Sequence, residues 1–332
     1  MTEASGTPSE YVAKVVARSA DLRRLDPKAR RLVKLLWAAR GGITHELPVA
    51  QQRANLRALF ANLPQDNGSA RDESCAEVDV PLPGRTLRAR WYGEHATGSA
   101  PILLYLHGGG WTLGDLWLAD SQCRELAAAC SARVLNLAYR LAPENRFPAA
   151  YDDVADTVDW LRERNDPRRI VLVGDSSGAN LAAAVAQARP DAIAAQVLVY
   201  PQVVTTARGD LLDLRYDDFF VSAEGLASFE RLYLGGADPA DPRFAPLLGP
   251  GLGGLPPALL VLAECDPLRP HGAAYHRALC AAGTPAQART MPGMIHGFFG
   301  LSSVLAPSAE AVHAIADFLA PLRTGPNLLE KR

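Results

Sequence analysis

Six short strand-like runs recur along the chain: ILLYL (102–106), RVLNLAY (133–139), RIVLVG (169–174), QVLVY (196–200), ALLVLAE (258–264) and AQARTM (286–291). Stretches with helical spacing fall between and after them, at about 119–131, 148–165, 177–189, 270–282 and 307–322. Runs that are continuously apolar, rather than alternating, belong to strands covered on both faces. Parallel strands also need long crossovers, which helices of this length provide. The pattern therefore predicts an α/β fold: a mostly parallel central sheet flanked by helices. AEVDVPL (76–82) and TLRARWY (86–92) do alternate and meet at Pro83-Gly84, so they are expected to pair antiparallel at one edge.

The first 65 residues read as helix. Asp26 followed by Pro27 is an N-cap with proline in the first turn, and Gly41-Gly42 is the expected stop. A second helix is expected over 48–63. The stretch from 203 to about 250 is too long for a plain strand–helix connection and reads as an inserted lid, expected to pack against the N-terminal helices. The expected organisation is 1–65 as helices contributing to a cap, 66–202 with 241–325 as the catalytic domain, and 203–240 as the inserted cap segment.

With 332 residues and a formal charge of −2, the chain carries no overall bias toward nucleic acid or anionic membrane. Its first residues, MTEASGTPSE, lack the apolar core of a signal peptide, and no apolar run approaches the ~20 residues of a membrane span. Five scattered cysteines without a C-x-x-C pair fit reduced thiols rather than a disulfide frame or a structural zinc. A cytoplasmic protein is the expectation, with no stable membrane insertion. An edge strand or a cap face offers a place where two copies could pair as a homodimer.

One junction carries chemistry. GDSSGAN (174–180) lies where a strand gives way to an alanine-rich helix, and contains G-x-S-x-G. Glycines two before and two after a serine let strand and helix approach closely at a nucleophile elbow. That spacing selects Ser176 over Ser177, leaving Ser177 to offer its backbone N–H to an oxyanion. LYLHGGGWTLGD (104–115) follows another strand. Its glycines expose backbone amides that no side chain blocks, so Gly109 and Gly110 are the other expected oxyanion donors. His107 reads as a structural hydrogen-bonding residue.

A serine nucleophile needs a base, and the base an orienting carboxylate. Among the histidines beyond the fifth run, His271, His276 and His313 fall on helices, while His296 lies in a loop just after the last strand. Asp266 sits in the turn after 258–264, whereas Glu264 is still in the strand and reads as structural. Serine, acid, then histidine is the chain order of this fold class. Glu144 reads as a support for the loops of the site. Trp111, Phe219, Phe220 and Phe298 are candidates to line a substrate pocket.

HGGGWTLGD, YRLAPENRFPAAYDD, GDSSGANLA, DPLRP and MIHGFF resemble, in order, the motifs of the bacterial hormone-sensitive-lipase-like esterases, across roughly residues 80–320. The resemblance implies an α/β-hydrolase fold with a helical cap drawn from the N-terminus and 203–240. It also implies hydrolysis of small-molecule carboxylic esters with short to medium acyl chains, no cofactor or metal, and Ser176, Asp266 and His296 as triad. Two alternatives stay open: an amide or N-acetyl hydrolase using the same triad, and a non-catalytic ligand-binding protein on the same fold. The chain departs from the family pattern at Ser177 and Ala179, where alanine and glycine are usual, and at Pro270-His271-Gly272, where the family often has Asp-Glu-Gly.

Overall fold

The strand-like runs assemble into one eight-stranded sheet in the computed structural model, which describes residues 8–38, 46–62, 75–93 and 100–323. Its strands are β1 Cys75–Leu82, β2 Arg85–Tyr92, β3 Ile102–Leu106, β4 Arg133–Leu137, β5 Ile170–Asp175, β6 Ala195–Val199, β7 Ala258–Cys265 and β8 Ala286–Ile295. They lie in the order β1-β2-β4-β3-β5-β6-β7-β8. β1 pairs antiparallel with β2 and β2 with β4, while every other pairing is parallel. The helices are α1 Pro8–Ala17, α2 Ser19–Leu22, α3 Pro27–Ala38, α4 Val49–Ala61, α5 Asp120–Cys130, α6 Ala149–Arg162, α7 Ser177–Ala188, α8 Ala223–Leu234, α9 Arg269–Ala281 and α10 Ala306–Leu319.

The side-chain period of two explains why the inner strands are apolar throughout. In β3, Ile102, Leu104 and Leu106 enter one core, while Leu103 and Tyr105 enter the other. The first core is closed by α6, α7 and α9, and the second by α3, α5 and α10. At about 25 cal/mol per Å² of apolar surface removed from water, this double burial is the main force that holds each inner strand in register.

Asp26 caps α3 as its sequence suggests: its carboxylate accepts the amides of Lys28 and Ala29 at 2.7 and 3.3 Å. The expected stop at Gly41-Gly42 lies outside the described residues. The strand after α9 runs to Ile295, past the expected end at Met291. Pro292 is tolerated because β8 is an edge strand, where the missing N–H costs no ladder bond. The ladder is irregular there: Ala263 pairs with Met291 but Cys265 with Ile295. Gly293 takes up the extra length with φ +67°, and its N–H donates to Glu264 Oε2 at 2.9 Å. Glu264 also accepts from Arg24 at 2.8 Å, which ties the segment before α3 to the bulge.

Between β6 and β7 the chain leaves the sheet for a long excursion that contains α8. Ser222 caps α8 through its hydroxyl, which accepts the Gly225 amide at 3.0 Å, and Gly235 ends it in the left-handed conformation. The N-terminal helices meet this excursion, where Trp37 Nε1–H donates to the Asp218 carbonyl at 2.7 Å.

Candidate active site

Ser176 occupies the single residue between β5 and α7, with φ 54° and ψ −118°. A non-glycine residue in this region costs on the order of 1–3 kcal/mol and persists only where its surroundings over-determine it. Here they do. Its amide donates to the Val199 carbonyl at 2.9 Å, and its carbonyl accepts the Asn180 amide at 3.0 Å. The turn also demands Gly178, because a Cβ there would collide with the backbone carbonyl of Leu106 at the end of β3.

The Ser176 hydroxyl donates to His296 Nε2 at 2.9 Å, and His296 Nδ1 lies 2.8 Å from Asp266 Oδ2. Asp266 is fully buried in the turn after β7, and its Oδ1 accepts the Leu268 amide at 2.7 Å. A carboxylate offers only acceptors, so it holds the ring proton on Nδ1 and leaves Nε2 free to take a proton from serine. The ring of Tyr200 sits 4.5 Å from that of His296 and limits its rotation. Three strand ends, of β5, β8 and β7, thus deliver a hydroxyl, an imidazole and a carboxylate in hydrogen-bonding line.

The glycine turn after β3 lies beside Ser176. Gly108 N–H donates to Asp175 Oδ1 at 2.9 Å, and the Tyr105 hydroxyl donates to the same oxygen at 2.8 Å. Burial raises the Asp175 carboxyl above its ordinary range, and these two donors oppose that rise only in part. Among the described residues, no protein acceptor takes the amides of Gly109 or Gly110. Gly110 has φ +60°, and a Cβ there would strike the ring of Phe229 on α8. Burial lowers the pKa of His107, and its ring stacks on Tyr139 at 4.4 Å.

Above Ser176 the cleft, counting its solvent-filled mouth, encloses about 790 Å³. Leu56 and Phe60 from α4, Phe220, Leu226 and Phe229 from the excursion, and Phe299 line it, with Gln122 and Gln202 among its polar residues. Of the four aromatic candidates only Phe220 lines this cleft. Trp111 is fully buried and stacks on Tyr233 at 4.9 Å, beside Phe244, so it packs the core beneath the turn. Phe219 is buried against Trp37 at 5.8 Å and Tyr216 at 5.7 Å. Phe298 is buried edge-on against Tyr200 at 5.6 Å, and its neighbour Phe299 takes the place expected for it.

Glu144 lies outside the relay. Its carboxylate forms a two-pronged pair with Arg53 of α4 at 2.8 Å, and Arg53 also donates to the Thr112 and Ala142 carbonyls at 2.9 and 3.0 Å. Arg53 therefore ties α4 to both loops beneath it. His271, by contrast, is wholly buried on α9, with Nδ1 accepting the Val203 amide at 3.3 Å and Nε2 unpartnered. Burial lowers its pKa to about 4. Sequence reasoning passed over Asp175, Tyr200, Phe229, Phe299 and Gln202. Only Asp175 carried a signal, as the residue beside the elbow serine. Among the described residues no three His, Cys, Asp or Glu side chains cluster as metal ligands would.

Comparison with known proteins agrees with this architecture. Residues 103–300 match the family described as alpha/beta hydrolase fold. The carboxylic ester hydrolase LipN of Mycobacterium tuberculosis is 34% identical over 294 residues, covering 84% of this chain and 77% of that protein. The ethyl acetate hydrolase of Pseudomonas putida is 37% identical over 250 residues, covering 71% and 79%. A solved esterase of the bacterial hormone-sensitive lipase family superposes with a TM-score of 0.79 at 28% identity, covering 90% of this chain and 99% of its own. The chain belongs to the α/β-hydrolase-fold family.

Proposed function

We propose that this protein is a serine carboxylesterase that cleaves small esters through an acyl-enzyme intermediate. The observation that carries the reading is the unbroken Asp266–His296–Ser176 relay, at 2.8 and 2.9 Å, opening onto a largely apolar cleft. Two relatives named for ester hydrolysis, at 34% and 37% identity, support it.

Ser176 attacks the ester carbonyl as its proton passes to His296 Nε2. The imidazolium that forms is stabilised by Asp266. The oxygen that becomes negative is held by the amides of Gly109, Gly110 and Ser177, each worth about 10²–10³-fold in turnover. The imidazolium returns the proton to the departing alkoxide. His296 then takes a proton from water, whose oxygen attacks the acyl carbon, and the acid leaves as Ser176 is restored.

In this reading the N-terminal helices and the 203–240 excursion form the cap. Leu56 and Phe60 of α4, with Leu226 and Phe229 of α8, wall the space an acyl chain would fill. In this reading the substrates carry short to medium acyl chains. The reading also places the protein in the cytoplasm, in keeping with five cysteines that form no disulfide among the described residues. No described helix is long and apolar enough to cross a membrane.

The test is hydrolysis of p-nitrophenyl acetate, butyrate, octanoate and palmitate, with p-nitroacetanilide as the amide counterpart. Each CH₂ buried is worth about 0.8 kcal/mol, so kcat/KM is expected to rise roughly 15-fold from acetate to butyrate and to fall for palmitate. Faster turnover of the anilide than of acetate would overturn the ester reading in favour of an amidase.

A further inference from the structure

Gln202 lies three residues past β6, lines the cleft and is only 3% exposed. Its backbone is pinned, because its carbonyl accepts from Asn180 Nδ2 at 2.8 Å. Its side-chain nitrogen donates to Glu230 Oε1 on α8 and to the Val204 carbonyl at 3.4 Å. Both neighbours are acceptors, so the amide can present only its NH₂ to them.

Glu230 is itself held in the acceptor role. It accepts the Thr206 amide at 2.6 Å and the Thr205 hydroxyl at 2.8 Å, and that hydroxyl accepts the Ala207 amide at 3.2 Å. With its NH₂ spent, Gln202 keeps one group, the carbonyl oxygen Oε1, that none of its hydrogen bonds to described residues uses. Val221, Leu226 and Phe229, which line the same cleft, offer no polar side chain. An oriented acceptor on such a wall favours an occupant that brings its own donor, because an apolar one leaves it unpaired.

Building on the esterase reading, we propose that Gln202 is a specificity residue that accepts a hydrogen bond from a hydroxyl group of the substrate, making hydroxy esters the preferred class. Glu230 acts as its positioning residue by fixing which end of the amide faces the cleft. One neutral hydrogen bond sets the scale of the preference, roughly 3–10-fold in kcat/KM.

Two size-matched pairs test this. 2-Hydroxyethyl butyrate against propyl butyrate carries the hydroxyl on the alcohol side. Ethyl 3-hydroxybutyrate against ethyl 3-methylbutyrate carries it on the acyl side. Acid release is titrated at constant pH, and each kcat/KM ratio is divided by the ratio of alkaline hydrolysis rates for the same esters. The wild type is expected to favour the hydroxy ester in one pair, which identifies the side that meets Gln202. Gln202→Met should lower that ratio about 3–10-fold, and Glu230→Gln should lower it as well, by freeing the amide to turn over. Within one preparation the ratio is independent of the active fraction, so partial misfolding of a variant does not affect it. A wild type with no preference in either pair, or ratios unchanged in both variants, overturns the proposal and leaves the esterase reading standing. Failure of the wild type to hydrolyse any of the four esters overturns both.

Discussion

Replacing Asp266 by asparagine preserves its shape but should abolish most of the activity, and the reason lies in how its two oxygens are used. Oδ1 accepts the Leu268 amide at 2.7 Å, and Oδ2 faces His296 Nδ1 at 2.8 Å. An asparagine keeps one acceptor. Turning its NH₂ toward Leu268 would set donor against donor in a fully buried site, where an orphaned amide costs on the order of 1–3 kcal/mol. The carbonyl therefore stays on Leu268 and the NH₂ faces the imidazole. His296 must then accept at Nδ1 and carry its proton on Nε2, pointing a donor at Ser176 when the reaction needs an acceptor. A base in the wrong tautomer costs about 10⁴-fold in kcat, roughly 5 kcal/mol of barrier. The assay is kcat on p-nitrophenyl butyrate for wild type, Asp266→Asn and Asp266→Ala, with thermal melts to confirm folding. The asparagine variant should be no more active than the alanine variant despite its closer shape. A folded Asp266→Asn enzyme within tenfold of wild type would refute the reasoning.

Two other perturbations follow from contacts away from the relay. Arg53→Met removes the four hydrogen bonds that tie α4 to the loops below; because the pair with Glu144 is partly exposed, the loss is discounted to ~1–2 kcal/mol. The ratio of kcat/KM for octanoate to that for acetate should fall about 3–10-fold, since only the longer chain reaches Leu56 and Phe60, and an unchanged ratio would count against α4 as a wall of the acyl site. His271 has its pKa lowered to about 4 by burial, against about 6.5 in an unfolded chain. The unfolded state then binds the extra proton between these values, so stability is present above pH 6.5 and lost as pH falls toward 4, by about 3 kcal/mol in all. Melts of wild type and His271→Gln across pH 4–7 should diverge in that window; parallel curves would contradict the assignment.

What could be read from the sequence was whatever has a period or a fixed spacing. Inner strands such as β3 and β5 are apolar because both faces are covered, and that leaves a mark on every residue. The elbow is similarly marked, since steric demand at Gly178 is local and absolute. Ser176, Asp266 and His296 could be picked because each follows a strand, and the structure brings them into one line. The cleft walls were not legible in this way. Phe219 and Phe220, or Phe298 and Phe299, lie in turns without a period, so nothing in the sequence says which ring faces the cleft. Trp111 was a pocket candidate too, but with φ 56° it turns beneath the glycines into the core. The extension of β8 past Pro292 depended on Glu264 and Gly293 meeting across strands, a contact between distant residues that leaves no local trace.

Covalent trapping puts the central claim, that Ser176 and not Ser177 is the nucleophile, to the most direct test. The protein would be treated with an alkyl fluorophosphonate, then its intact mass measured and the modified residue mapped by peptide sequencing. The account predicts one adduct per chain, on Ser176, with loss of ester hydrolysis in step with labelling and no adduct in Ser176→Ala. Labelling on Ser177, or full ester turnover by an enzyme labelled at Ser176, would contradict it.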